Sequence, residues 1–110
     1  MKHNDIVDDL EARLLKWNFE QGKNRLVLSN HEYDIYGVHG EVDVAMLSPR
    51  RSYLIEVKTT DSERNFNKAI HQLYKDKRWL MKNYYTDKIH CFYATSRSNG
   101  NGYNITEVEI

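Results

Sequence analysis

The residue pattern predicts an α/β domain with a mixed β-sheet flanked by helices, in the order helix, three strands, helix, two strands. Three observations predict it. An amphipathic stripe opens the chain, three consecutive β-like runs follow, and a long second stripe separates these from two more strands. Three strands in succession, then a crossover helix, make a sheet that is part antiparallel and part parallel. At 110 residues and 40% hydrophobic content, residues 1–110 are one domain with one modest core. So small a domain buries only about two-thirds of its unfolded surface, which makes a homodimer an expectation.

The first helix spans about Asp5 to Asn18, where Ile6, Val7, Leu10, Leu14 and Trp17 recur at helical spacing. Asn4 or Asp5 suits its N-cap, because a short polar side chain can accept from the free N–H groups of the first turn. Gln21-Gly22-Lys23-Asn24 reads as a stop and a turn. From Arg25 the run Leu26-Val27-Leu28 is β-like, and Tyr33-Asp34-Ile35-Tyr36 leads into Gly37-Val38-His39-Gly40, whose two glycines suggest a hairpin. Glu41 to Leu47 alternates, with Val42, Val44 and Met46 on one face and Glu41, Asp43, Ala45 and Leu47 on the other. Ser48-Pro49-Arg50-Arg51 is a turn. Tyr53 to Lys58 is a strand with Tyr53, Ile55 and Val57 opposite Leu54, Glu56 and Lys58. Thr59 to Ser62 ends it and can cap a long helix with the stripe Phe66, Ile70, Leu73, Leu80 and Tyr84; Lys68, Gln72, Lys75 and Trp79 share another face. Ile89 to Ser96 is a strand, Ser98 to Gly102 a turn, and Tyr103 to Ile110 an edge strand.

The formal net charge is zero, which excludes a protein coated in positive charge. Charge is nonetheless segregated, since residues 64 to 88 carry seven bases against two acids. Cys91 is the only cysteine, so neither an internal disulfide nor a cysteine zinc cluster can form within one chain. Residues 1 to 20 are charged throughout, unlike a signal peptide, and no segment approaches the roughly 18 apolar residues of a membrane span. No membrane association and a cytoplasmic, intracellular location are expected. The compact, Asn- and Tyr-rich chain would suit a phage, virus or mobile element.

The informative feature is a pair of acids inside apolar strands: Asp43 in Val-Asp-Val-Ala-Met-Leu and Glu56 in Tyr-Leu-Ile-Glu-Val-Lys. A carboxylate there costs free energy unless it is paired or binds a metal. Lys58 shares the Glu56 strand face, so neighbouring strands would bring all three together. Hard oxygen ligands suit Mg²⁺ or Mn²⁺, and such an ion polarises a phosphate and acidifies water. Lys58 could orient that water or neutralise charge on the phosphate oxygens. The plainer alternative is a surface ion pair of Glu56 with Lys58 and a solvated Asp43.

Gly40-Glu41-Val42-Asp43-Val44 and Ile55-Glu56-Val57-Lys58, with Glu11 in the preceding helix, resemble the PD-(D/E)XK nuclease superfamily. Small Holliday-junction resolvase-like endonucleases are the nearest in character. The resemblance covers almost the whole chain and implies a restriction-endonuclease-like core. It implies that Asp43, Glu56 and the Val57 carbonyl bind the metal, and that Lys58 is the catalytic lysine. Val42 stands where the family name has proline. Glu11 sits where an acid of the first helix reaches the metal in resolvases, although a lone acid on such a helix is ordinarily solvated. Gln72 and Lys68 stand where some branches carry a supporting glutamine or lysine. His39 is near Asp43 in sequence, but a turn histidine is ordinarily just exposed.

Lys68, Lys75, Arg78, Lys82, Arg50 and Arg51 are candidates for DNA phosphate contacts, which position a duplex without reading its sequence. Trp79 and Tyr84-Tyr85 suit a core, a dimer interface or a stacking platform. The expectation is therefore a metal-dependent DNA endonuclease acting on branched DNA as a homodimer. Two alternatives stand beside it: a nuclease of the same fold for flaps, ends or single strands, and a catalytically silent nucleic-acid-binding protein.

Overall fold

Helix α1 runs from His3 to Glu20 in the computed structural model, which describes residues 1–110. It buries Ile6, Val7 and Leu10, the first part of the expected stripe. Neither Asn4 nor Asp5 caps it. Lys2 holds the N-cap position without a side-chain bond, because the helix starts early enough to include both expected caps. After the helix the chain turns at Gly22, with φ 61°, and the Asn18 carboxamide donates to the Arg25 carbonyl at 2.9 Å.

Strands β1 (Leu26–Ile35) and β2 (Val38–Leu47) form a hairpin closed by Tyr36-Gly37, with φ 51° and 76°. Such a two-residue turn has the twist that flanking strands need. Gly37 is therefore the turn glycine. Gly40 is not: it lies inside β2 opposite Tyr33, whose ring occupies the space a β-carbon would take.

The expected alternation in β2 also fails, at Asp43. Val42, Ala45 and Leu47 share one core cluster and Val44 the other. Asn30, at φ 46°, stands where the register would put the partner of Asp43, and neither is paired there. Register is unchanged on both sides, with Ser29 opposite Val44 and His31 opposite Val42. Asparagine tolerates this left-handed conformation better than most residues, and the change of face in β2 falls directly across from it.

The sheet order is β1-β2-β3-β4-β5, with β3 (Arg51–Lys58) parallel to β4 (Lys88–Ser96) and every other pair antiparallel. Strand β5 (Tyr103–Val108) is an edge, as expected. Helix α2 (Glu63–Asn83) makes the crossover between β3 and β4. Ser62 caps it by accepting the Asn65 N–H at 3.1 Å. Helix α1 packs Ile6, Val7 and Leu10 on Val44, Ile55, Val57 and Ala94. On the opposite face, α2 packs Leu73, Trp79 and Leu80 on Val42, Leu54 and Cys91. Strands β2 and β3 are thus covered on both sides, which is why they read as near-continuous apolar runs.

Helix α2 is rotated relative to the expected stripe. It buries Ala69, Leu73, Asp76, Trp79 and Leu80, while Phe66 is exposed and Tyr84 lies just past the helix. Trp79 stacks on Tyr33 with ring centroids 4.8 Å apart, so it is core. A tryptophan has more apolar surface to bury than Phe66 or Ile70, and its burial favours that rotation. No helix is long and apolar enough to cross a membrane.

Gly40→Ala forces the stacked Tyr33 ring out of place. Overpacking of this kind should cost about 1–3 kcal/mol in urea unfolding. A loss within measurement error would show that the ring moves aside freely.

Candidate functional site

The β2–β3 ladder is short. It pairs Val44 with Ile55, Ala45 with Leu54 and Met46 with Tyr53, then stops. Continued by one step, the same register would set Asp43 opposite Glu56. In place of a main-chain bond, Asp43 Oδ2 accepts the Val57 N–H at 2.9 Å. The N–H and C=O of one extended residue point to the same neighbour, so the Val57 carbonyl also faces the Asp43 side of β3. The gap opens into a cavity of about 430 Å³ lined by Asp43, Glu56, Lys58, Asn65, Gln72 and His3, with Glu41, Val57 and Thr59 at its walls.

Asp43 and Glu56 are 5% and 4% exposed, so their charges sit in a poorly solvated place. Glu56 Oε1 lies 3.7 Å from Lys58 Nζ, whereas Oε2 is buried with no hydrogen-bond partner. Burial above all, then the negative charges of Asp43 and Asp76, raises the Glu56 carboxyl far above the usual carboxylate range; Lys58 opposes this. His3 enters from the first turn of α1, with Nε2 3.3 Å from Asp43 Oδ2.

Gln72 is tightly held. Its Nε2 donates to the Glu41 carbonyl at 2.7 Å and to Asp76 Oδ1 at 2.8 Å, using both hydrogens on acceptors. The amide oxygen is the atom left for the cavity. Asp76 is 1% exposed and also accepts the Tyr33 hydroxyl at 2.5 Å. Burial pushes the Asp76 carboxyl up to about 7, against the bonds from Tyr33 and Gln72, which favour its charged form.

The expected residues Asp43, Glu56, Val57, Lys58 and Gln72 therefore come together. Glu11 does not join them. Its carboxylate accepts the Ser29 hydroxyl, and it lies eight residues along α1 from His3, about 12 Å at 1.5 Å per residue. Among the expected phosphate contacts, Lys68 and Arg78 are exposed on α2, Lys75 donates to the His39 carbonyl at 3.1 Å, and Lys82 lies over the Tyr36 ring at 3.9 Å. Arg50 and Arg51 stand at the other end of β3. His39 is outside the cavity, with Nδ1 3.3 Å from Asp34.

Sequence reasoning missed His3, Asn65 and Asp76. Asp76 carried a signal, because it is an acid four residues after Gln72 in an otherwise basic stretch and shares its helix face. His3 carried none; its contact with Asp43 joins residues forty apart.

No three His, Cys, Asp or Glu side chains form a ready metal cage. The donors are two carboxylates and a main-chain carbonyl, and small hard cations usually keep several waters beside such ligands. The unpartnered Glu56 Oε2 is the atom that fits a cation. No family model, curated protein or solved structure matches the chain.

The raised carboxyls dictate how stability depends on pH. The native state holds protons on Glu56 and Asp76 that the unfolded chain releases from about pH 4 upward, so stability falls as pH rises from there through 7. In EDTA, urea unfolding should show lower stability at pH 8 than at pH 5.5. Glu56→Gln should flatten that slope and be more stable than the parent at pH 8, because the amide needs no proton to stay neutral. A parent protein more stable at pH 8 would contradict the burial of uncompensated charge.

Proposed function

We propose that the chain is a Mg²⁺- or Mn²⁺-dependent endodeoxyribonuclease of the PD-(D/E)XK type, with a restriction-endonuclease-like core, acting on branched DNA as a homodimer. One observation carries the reading: the buried Glu56 oxygen without a partner, beside Asp43, where the β2–β3 ladder breaks. Asp43 and Glu56 are nearly buried, with His3 3.3 Å from the first and Lys58 3.7 Å from the second, and a divalent cation taking the place of the Glu56 proton would balance both carboxylates.

Asp43, Glu56 and the Val57 carbonyl would hold the ion. Bound there, it supplies Lewis-acid polarisation of the scissile phosphate and lowers the pKa of water. Lys58 Nζ is half-buried at the cavity wall, and it neutralises charge gathering on the phosphate as water attacks phosphorus and the P–O bond to the leaving oxygen breaks. The Gln72 amide oxygen is an acceptor only, so it holds the proton of a water rather than a phosphate oxygen. His3 steadies the Asp43 carboxylate from the α1 side. DNA shape and the pairing of two copies would supply selectivity.

The test compares the parent with Asp43→Asn and Lys58→Ala on four-way, flap and single-stranded DNA, in Mg²⁺, Mn²⁺ or EDTA. Each substitution should reduce metal-dependent cleavage about 100-fold or more. Cleavage that survives both would remove the site assignment. Junction binding without cleavage under every metal condition would favour a binding protein that kept this fold.

A further inference from the structure

At the end of β3 away from the acids lies a larger groove of about 720 Å³, between the end of α1 and the β2–β3 turn. Four cations line it, Lys23, Arg25, Arg50 and Arg51, against a single acid, Asp87. Asp87 is engaged by the Tyr85 hydroxyl at 2.8 Å. Glu20, close in sequence, faces Lys16 at 3.7 Å outside the groove. The chain is neutral overall, so this is a local concentration of charge.

Arg25 shows that the groove is built. Its Nε donates to Asn18 Oδ1 at 2.6 Å, its Nη2 donates to Gln21 Oε1 at 3.0 Å, and its guanidinium lies 4.2 Å from the centre of the Trp17 ring. All these partners are neutral. They fix the guanidinium without cancelling its charge and leave three of its five N–H groups for an anion. Trp17 is itself braced edge-on by Tyr53 at 5.9 Å. Lys23, Arg50 and Arg51 are exposed, and their side chains enter no hydrogen bond or ion pair.

We propose that this groove is a second, metal-independent site that binds the phosphodiester backbone of a nucleic acid. A single small anion can engage one or two of these cations; a chain of phosphates can engage all four. The site shares only its class of ligand with the proposed nuclease centre. Arg51 and Lys58 stand seven residues apart on one strand, about 23 Å at 3.3 Å per residue. A strand touching both sites must therefore extend over about seven nucleotides, at about 3.4 Å each.

The experiment measures binding in EDTA, by anisotropy of a labelled DNA duplex across a salt series. It compares the parent, Asp43→Asn, and a variant carrying Lys23→Ala, Arg50→Ala and Arg51→Ala, with folding of each checked by its thermal melt. The triple variant should bind about tenfold or more weakly, with a log–log salt slope shallower by about 2 to 3, near 0.9 for each phosphate left without its cation. Trp17 emission should change on binding in the parent and in Asp43→Asn; Trp17→Phe reports the background from Trp79. An unchanged salt slope in the triple variant, no binding by the parent at low salt, or equally tight binding of inorganic phosphate alone would each overturn the proposal. DNA binding through this groove with no cleavage in any metal would sink the nuclease reading and leave this one standing.

Discussion

The bond from the Val57 N–H to the Asp43 carboxylate is the contact on which the candidate site depends. A ladder that ran on would have paired these main chains and closed the sheet between β2 and β3. A side chain replaces the main-chain acceptor, and the strands part at Asp43 and Glu56. The exchange satisfies a buried N–H, as buried main-chain donors require. It also leaves the neighbouring carbonyl facing the gap and one Glu56 oxygen without a partner. Cover from α1 on one face and α2 on the other keeps the gap poorly solvated, and so raises the Glu56 carboxyl.

A second set of contacts couples the hairpin to that gap. Trp79 stacks on Tyr33, Tyr33 lies across Gly40 and donates to Asp76, and Asp76 accepts from Gln72 at the cavity wall. The aromatic stack and the buried carboxylate are therefore one structure. Trp79 turns inward because it has the larger apolar surface to bury, and the same rotation of α2 brings Asp76 beneath the sheet. The amide of Gln72 then has a single orientation, with its oxygen outward. Such prior orientation is what a site needs if it is to act on a phosphate without rearranging.

The chain also keeps its charges apart. Acids gather where β2 and β3 diverge, and free cations gather at the far end of β3, where the turn containing Pro49 meets the end of α1.

The element order and a long α2 capped from the Thr59 to Ser62 segment were legible in the sequence, because periodicity and capping are local properties of a few neighbouring residues. Asp43, Glu56 and Lys58 were legible for a related reason: charged residues inside apolar strands stand out, and i, i+2 spacing sets Lys58 beside Glu56. Tertiary structure alone decided the rest. It set the rotation of α2, placed Gly40 under Tyr33 rather than in the turn, and reversed the alternation at Asp43. It also brought His3 to the cavity and kept Glu11 on Ser29. Each of these depends on which side chains meet across elements distant in sequence, and neither periodicity nor spacing carries that information.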